Sequence, residues 1–293
     1  MRLGDEDPSG NFIDNTGRSG GLGGLGGGGG NMLGCLLPLI ASRFGVIGVV
    51  VLLLGYCALQ SLGGGGGGGL LPGTSVAPTT QPGAANPNSS LDANTRDLMT
   101  RVLGSTERRW SEIFARSGAR YEPTTMVAYS NSDRSGCGAA QSAMGPFYCP
   151  VDKRIYIDPE FFNELSRRFG APGDFAMAYV IAHEVGHHVQ DLEGRLDAAH
   201  NAQARATEAE GNRLQVAIEL QADCYAGVWA ANDKNLLEPG DMEEGLTAAR
   251  AIGDDQLTQG RVSPDNFTHG TSAQRMEALR RGLQSGDPSV CKF

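Results

Sequence analysis

The stretch Ala182-His-Glu-Val-Gly-His-His-Val-Gln190 constrains this chain more than any other, because it sets two histidines four residues apart in a run that suits a helix. On an α-helix His183 and His187 fall on one face, where their imidazoles can hold one divalent ion. Glu184 stands beside them, placed to act as a base on water. The preceding run Phe175-Ala-Met-Ala-Tyr-Val-Ile-Ala182 is apolar nearly all round, so the helix is expected inside the domain. Two buried imidazoles need partners, and a metal ion serves both at once. His188 is turned about 100° from His187 and cannot share that face. It is expected to flank or support the site and not to ligate.

A hydrolytic zinc centre keeps three protein ligands and one open position, so a third ligand has to come from elsewhere in the chain. Glu219 is the candidate. It lies in Ile218-Glu-Leu-Gln-Ala-Asp-Cys-Tyr-Ala-Gly227, with Asp223 one helical turn later on the same face. Their neighbours Val216, Ala217, Ile218, Leu220, Ala222 and Tyr225 are apolar. A carboxylate pair buried among them is costly unless one member binds metal and the other orients a histidine.

With these residues in hand the chain resembles a known family. H-E-x-x-H followed by E-x-x-A-D is similar to gluzincin-type metallopeptidases. The combination of G-P-F-Y-C-P, H-E-V-G-H-H-V-Q and E-L-Q-A-D-C-Y-A-G-V-W-A resembles the bacterial putative neutral zinc metallopeptidases over roughly residues 92–290. The resemblance implies one Zn²⁺ per chain held by His183, His187 and Glu219, with Glu184 as general base and Asp223 behind the ligands. It implies a zincin-like fold and no particular substrate. A further likeness, to prenyl-protein-processing and heat-shock membrane metallopeptidases, implies that His269 acts at the site and that Arg275, six residues later, lies near the zinc. Those relatives usually carry proline after the histidine, where this chain has Gly270.

The expected chemistry is hydrolysis of a peptide bond in a protein or peptide substrate, with zinc polarising the carbonyl and Glu184 moving the proton. No G-x-S-x-G is present to suggest a serine nucleophile. Two rival readings share the ligands: a non-catalytic zinc-binding envelope protein, and a zinc amidase acting on cell-wall peptides. A structural site needs no base beside an open position, so Glu184 speaks against the first.

Glycine divides the chain. Of 43 glycines a large share precedes residue 75, including the run Gly63 to Gly69, and such tracts supply too little side chain for a core. Residues 1–33 are expected to be a disordered tail, 36–62 one transmembrane helix, 63–91 a Gly/Pro/Ser-rich linker, and 92–293 the catalytic domain. The run from Phe44 to Leu62 is close to the ~20 apolar residues a span requires. Arg2, Arg18 and Arg43 precede it and the next basic residue is Arg96. This asymmetry predicts a single-pass membrane protein with its N-terminus in the cytoplasm and its catalytic domain outside. A formal charge of -9 and a pI near 5.1 give no support to nucleic acid as a partner. No C-x-x-C pair occurs. An extracytoplasmic domain permits disulfides, and the expected pairs are Cys137 with Cys149 and Cys224 with Cys291.

Within the domain the pattern predicts an α+β fold, mostly helical, with a small antiparallel sheet. Strands are expected at Thr124 to Tyr129, Gly145 to Pro150 and Lys153 to Asp158. Helices are expected from Asp92 or Asn94 to about Ser117, from Pro159 to about Phe169, and from a cap at Asp174 to near Gly194. Arg195 to Ala231 should hold one or two more, followed by Met242 to Ile252 and Ser272 to Leu283.

Overall fold

Short apolar and β-branched runs form six strands in the computed structural model, which describes residues 1–4, 6–17, 81–84, 86–233 and 235–293. They are β1 (Phe12–Asp14), β2 (Thr125–Ala128), β3 (Ser132–Ser135), β4 (Gly138–Gln141), β5 (Phe147–Cys149) and β6 (Arg154–Ile157). β3 and β4 make a separate antiparallel hairpin, and the other four lie in the order β1-β2-β6-β5. β2 runs parallel to both β1 and β6, while β5 runs antiparallel to β6. The sheet expected to be antiparallel is therefore mixed. The tight turn after Pro150 reverses the chain between β5 and β6, whereas β1 and β2 are joined through a helix that returns the chain to the same end. β2 is central because it is apolar on both faces: Met126 and Ala128 face the main core, and Val127 packs with Ile13, Tyr129, Cys149 and Tyr156.

β1 overturns one expectation. Residues 1–4 and 6–17, read as part of a disordered tail, are ordered against the domain, with Phe12 and Ile13 buried. Asp14 is buried beside them. It accepts hydrogen bonds from Thr16 and Ser89 at 2.6 Å each and pairs with Arg96. The end of the expected linker belongs to the same structure, since Gly83 N–H donates to the Phe12 carbonyl and Asn86 to that of Thr16. Three residues of strand surrounded by polar sequence carry no periodicity to read, so only their partners reveal them. The expected span 36–62, with the rest of residues 18–80, lies outside the described residues. Among the described residues no helix is long and apolar enough to cross a membrane.

The helices are α1 (Ala93–Arg116), α2 (Glu160–Arg167), α3 (Asp174–Leu192), α4 (Arg195–Gln203), α5 (Glu208–Asn232), α6 (Asp241–Ala251), α7 (Asp254–Leu257) and α8 (Ser272–Ser285). Asp92 caps α1 through the Thr95 N–H, as its sequence suggests. Asp174 proves to be the first residue of α3 and not its cap, which is Gly173. The helix-rich segment after residue 195 divides in two because Thr207 and Glu210 form a capping box that starts α5 afresh. Thr271 and Gln274 do the same for α8. α3 is buried along most of its length, with α1, α5 and α6 packed around it and β5 beside it. Both expected disulfides are present, Cys137–Cys149 and Cys224–Cys291, with Cα separations of 5.8 and 5.6 Å.

Candidate metal centre

α3 and α5 cross where neither carries a bulky side chain. A Cβ on Gly186 would lie 3.0 Å from the Ala222 backbone, tighter than ordinary contact, so the glycine sets how closely the two helices approach. That approach brings the ligand candidates together. His183 Nε2 lies 3.1 Å and His187 Nε2 3.6 Å from the same oxygen of Glu219, Oε2. His183, His187 and Glu219 form a group whose ligand atoms all fall within 4.8 Å of one another, the arrangement that can hold a metal ion. Gln215, one turn before Glu219 on α5, donates to the other carboxylate oxygen at 3.0 Å and so leaves Oε2 to face the histidines.

Each histidine is held from behind, which leaves Nε2 for the ion. His183 Nδ1 lies 2.8 Å from Asp223 Oδ1. Asp223 is itself fixed by Tyr179, whose hydroxyl donates at 2.5 Å, and by two bonds of 2.8 Å from Arg275. Arg275 is 2 % exposed and also donates to the Ile252 carbonyl. Asp223 thus stands behind His183, and Arg275 lies one layer farther out, neutralising the buried carboxylate.

The electrostatics favour a cation. Burial works against charging His183, but Asp223 and Glu219 outweigh it and push the imidazole up to about 10. Burial likewise opposes ionisation of Glu219, yet the two histidines hold its carboxyl well below the usual range. A field that draws protons onto two histidines draws a divalent ion equally. Glu184 is different: burial raises its carboxyl against the pull of His183 and His187. Its Oε2 is buried without a hydrogen-bond partner, an uncommon state for a carboxylate oxygen. The donor set of two imidazoles and one carboxylate, with an unpartnered acid beside it, suits zinc.

Glu184, the ligand candidates, His269 and Arg275 all line one cavity of about 380 Å³. Its walls include Phe161, Phe169, Val180, Ile252 and Leu257, and one side is formed by Gly145 to Tyr148 on the approach to β5. His269 reaches the cavity on a loop that Asp254 organises. One carboxylate oxygen of Asp254 accepts the N–H groups of Thr268, His269 and Gly270 at 2.8, 2.7 and 3.1 Å, and the other lies 3.2 Å from His269 Nδ1. Gly270 has φ +85°, a conformation closed to proline, which accounts for the departure from the relatives' pattern. His188 points away from the centre. It is buried against the carbonyl of Glu122 and the Tyr148 hydroxyl, with Tyr121 packed edge-on, so it ties α3 to the rest of the core.

Tyr179, Gln190, Gln215 and Asp254 were not anticipated. The first three stand one turn from His183, His187 and Glu219 respectively, so helical spacing could have found them. Asp254 has no such local signal.

A helix bearing His-Glu-x-x-His, completed by a glutamate from a second helix in a mixed α+β domain, defines a metal-binding class of protein. The chain belongs to the putative neutral zinc metallopeptidase family, whose match extends over residues 1–293. It is 47% identical over 248 residues to Uncharacterized protein YpfJ of Escherichia coli strain K12, covering 83% of each chain. To Uncharacterized protein Rv2575 of Mycobacterium tuberculosis strain H37Rv it is 41% identical over 222 residues, which is 69% of this chain and 72% of that one. No solved structure matches it.

Proposed function

We propose that this chain is a zinc-dependent metallopeptidase that hydrolyses internal peptide bonds, with Glu184 as general base. The observation that carries this reading is the convergence of both Nε2 atoms on Glu219 Oε2, with the partnerless Oε2 of Glu184 in the same cavity. When bound, one zinc would supply a Lewis acid that polarises the scissile carbonyl and acidifies water.

Every other step belongs to side chains. Glu184 takes the proton from the attacking water and returns it to the leaving amine, a task suited to a carboxyl that burial has raised. His269 donates from Nδ1 to Asp254, so it is as the imidazolium that it offers an Nε2–H to the oxygen on which charge develops. Asp223 and Arg275 keep the His183 imidazole in register.

A polypeptide substrate is supported by two features. Beyond β6, β5 pairs with no other strand among the described residues, so its outer edge offers backbone groups to an extended chain beside the cavity. The cavity walls are apolar away from the metal centre, which favours uncharged side chains next to the scissile bond. Two disulfides support an extracytoplasmic domain. The pairing of β1 with β2 supports placing residues 6–17 on that same side, where the sequence alone suggested a cytoplasmic N-terminus.

The test is metal analysis paired with cleavage of an unfolded protein. About one zinc per chain and proteolysis abolished by chelation are expected. Zinc binding that survives replacement of His183, His187 and Glu219 together would refute the reading.

A further inference from the structure

Gln190 ends the stretch that carries both histidines, and the proposed chemistry gives it no part. It follows His187 by three residues on α3, so its side chain lies one turn along the same face. Gln190 Oε1 is 2.9 Å from His187 Nδ1. Its Nε2 donates to the Ile218 carbonyl at 2.8 Å and to Gln221 Oε1 at 3.1 Å. Gln221 Nε2 donates in turn to the Cys291 carbonyl at 2.7 Å. Both glutamines are buried, so neither amide can turn to water instead.

The direction of this chain of bonds follows from its ends. A main-chain carbonyl can only accept, so the Gln221 atom facing Cys291 is the NH₂ group and the atom facing Gln190 is the oxygen. Gln190 must then present its own NH₂ to Gln221 and to the Ile218 carbonyl, and its oxygen to His187. An oxygen there makes His187 Nδ1 the protonated nitrogen, and Nε2 carries the lone pair that faces Glu219. The far end is itself fixed, because Cys291 is joined by its disulfide to Cys224 on α5, the helix that bears Glu219.

We propose that Gln190 is the positioning residue for His187, and that Gln221 with the disulfide-tethered Cys291 carbonyl sets the direction of its amide. The proposal rests on the reading of His187 as a metal ligand. The two histidines are thus held by different chemistry. His183 leans on a carboxylate that Arg275 neutralises, whereas His187 is oriented by a neutral amide that adds no second uncompensated negative charge to the buried centre. A carboxylate in place of Gln190 would set an oxygen against the Ile218 carbonyl with no proton to offer.

The test uses the full chain and Gln190→Met, which keeps the volume and removes the amide. Competition with a chelator should show zinc held about 10- to 100-fold less tightly. The chain has five histidines, so nitrogen-15 labelling of histidine gives a spectrum simple enough to assign. In the zinc-loaded parent the His187 Nδ1–H should exchange slowly with water, and in Gln190→Met it should exchange fast. A merely structural glutamine would not move that signal. Gln221→Met, which leaves the contact with His187 in place, should give a smaller loss of zinc affinity and an intermediate exchange rate. Parent-like zinc affinity and exchange in Gln190→Met would overturn the proposal. If that variant fails to fold, the same parent-like result in Gln221→Met overturns it. Failure of the ligand reading is separate: His187→Ala would then keep its zinc.

Discussion

At the scale of single residues the proposed function divides the site into groups that bind and groups that react, and the two should respond differently to substitution. Glu184→Gln removes only the base. The expected outcome is zinc content equal to the parent with hydrolysis lost, read by metal analysis and a cleavage assay on the same preparation. Activity retained in that variant would sink the mechanism even with zinc present. The proposed function puts His269 with the reacting groups, a reading supported by its place in the cavity wall and its contact with Asp254. Removing a donor that acts on developing charge typically costs on the order of 10² to 10³ in kcat. His269→Ala should show that loss while zinc content and KM stay near the parent, and a mutant with unchanged kcat would return His269 to a bystander. The Gly270 that follows it does separate work, permitting the backbone turn at φ +85°.

At the scale of elements, the centre depends on how closely α3 meets α5. Gly186 opposite Ala222 is the point of contact, and His183, His187 and Glu219 lie within one turn of it. Gly186→Ala inserts a methyl where the neighbouring backbone stands 3.0 Å away. Overpacking of this kind costs about 1–3 kcal/mol. Denaturant unfolding should register that loss, and chelator competition should register weakened zinc as the helices part. Stability lost with zinc affinity intact would mean the ligands do not depend on this crossing. β1 makes a second prediction. Burial works against ionisation of Asp14, but bonds from Ser89 and Thr16 and the charge of Arg96 hold its carboxyl below the usual range. Stabilisation from such a group is complete above the ordinary carboxylate pKa and is lost as pH falls through the lower folded value. Asp14→Asn should therefore destabilise the protein at neutral pH and flatten the decline of its thermal midpoint in acid. An acid limb identical to the parent's would assign that decline to other carboxylates.

For the whole molecule the governing fact is that β1 shares one sheet with β2, β6 and β5 and one core with residues as far along the chain as Cys291. Residues 6–17 and 86–293 of one folded chain are therefore expected to lie in one compartment. Single cysteines placed at Asp7 and at Glu277, in a chain with Cys35 and Cys57 replaced by serine, test this on intact cells. An impermeant maleimide should label both positions or neither. Labelling of one alone would restore a single crossing between them and require β1 to come from outside the domain.

The sequence alone determined which residues make up the candidate site, because that grouping is written in local spacing. His183, Glu184 and His187 share one helix, and Glu219 and Asp223 share another with the same four-residue period. The order of most helices followed from periodicity and caps, whereas the cysteine pairing, expected from placement but not fixed by it, is given by the structure. Only the tertiary structure decided what depends on contact between distant segments. It turned an expected antiparallel sheet into a mixed one, took β1 out of a presumed tail, and set Arg275 against Asp223. It also recruited Asp254 to brace His269. The reason is physical: a periodic face announces that a residue will be buried, whereas the partner it is buried against is chosen by packing and by the pairing of polar groups across the whole fold.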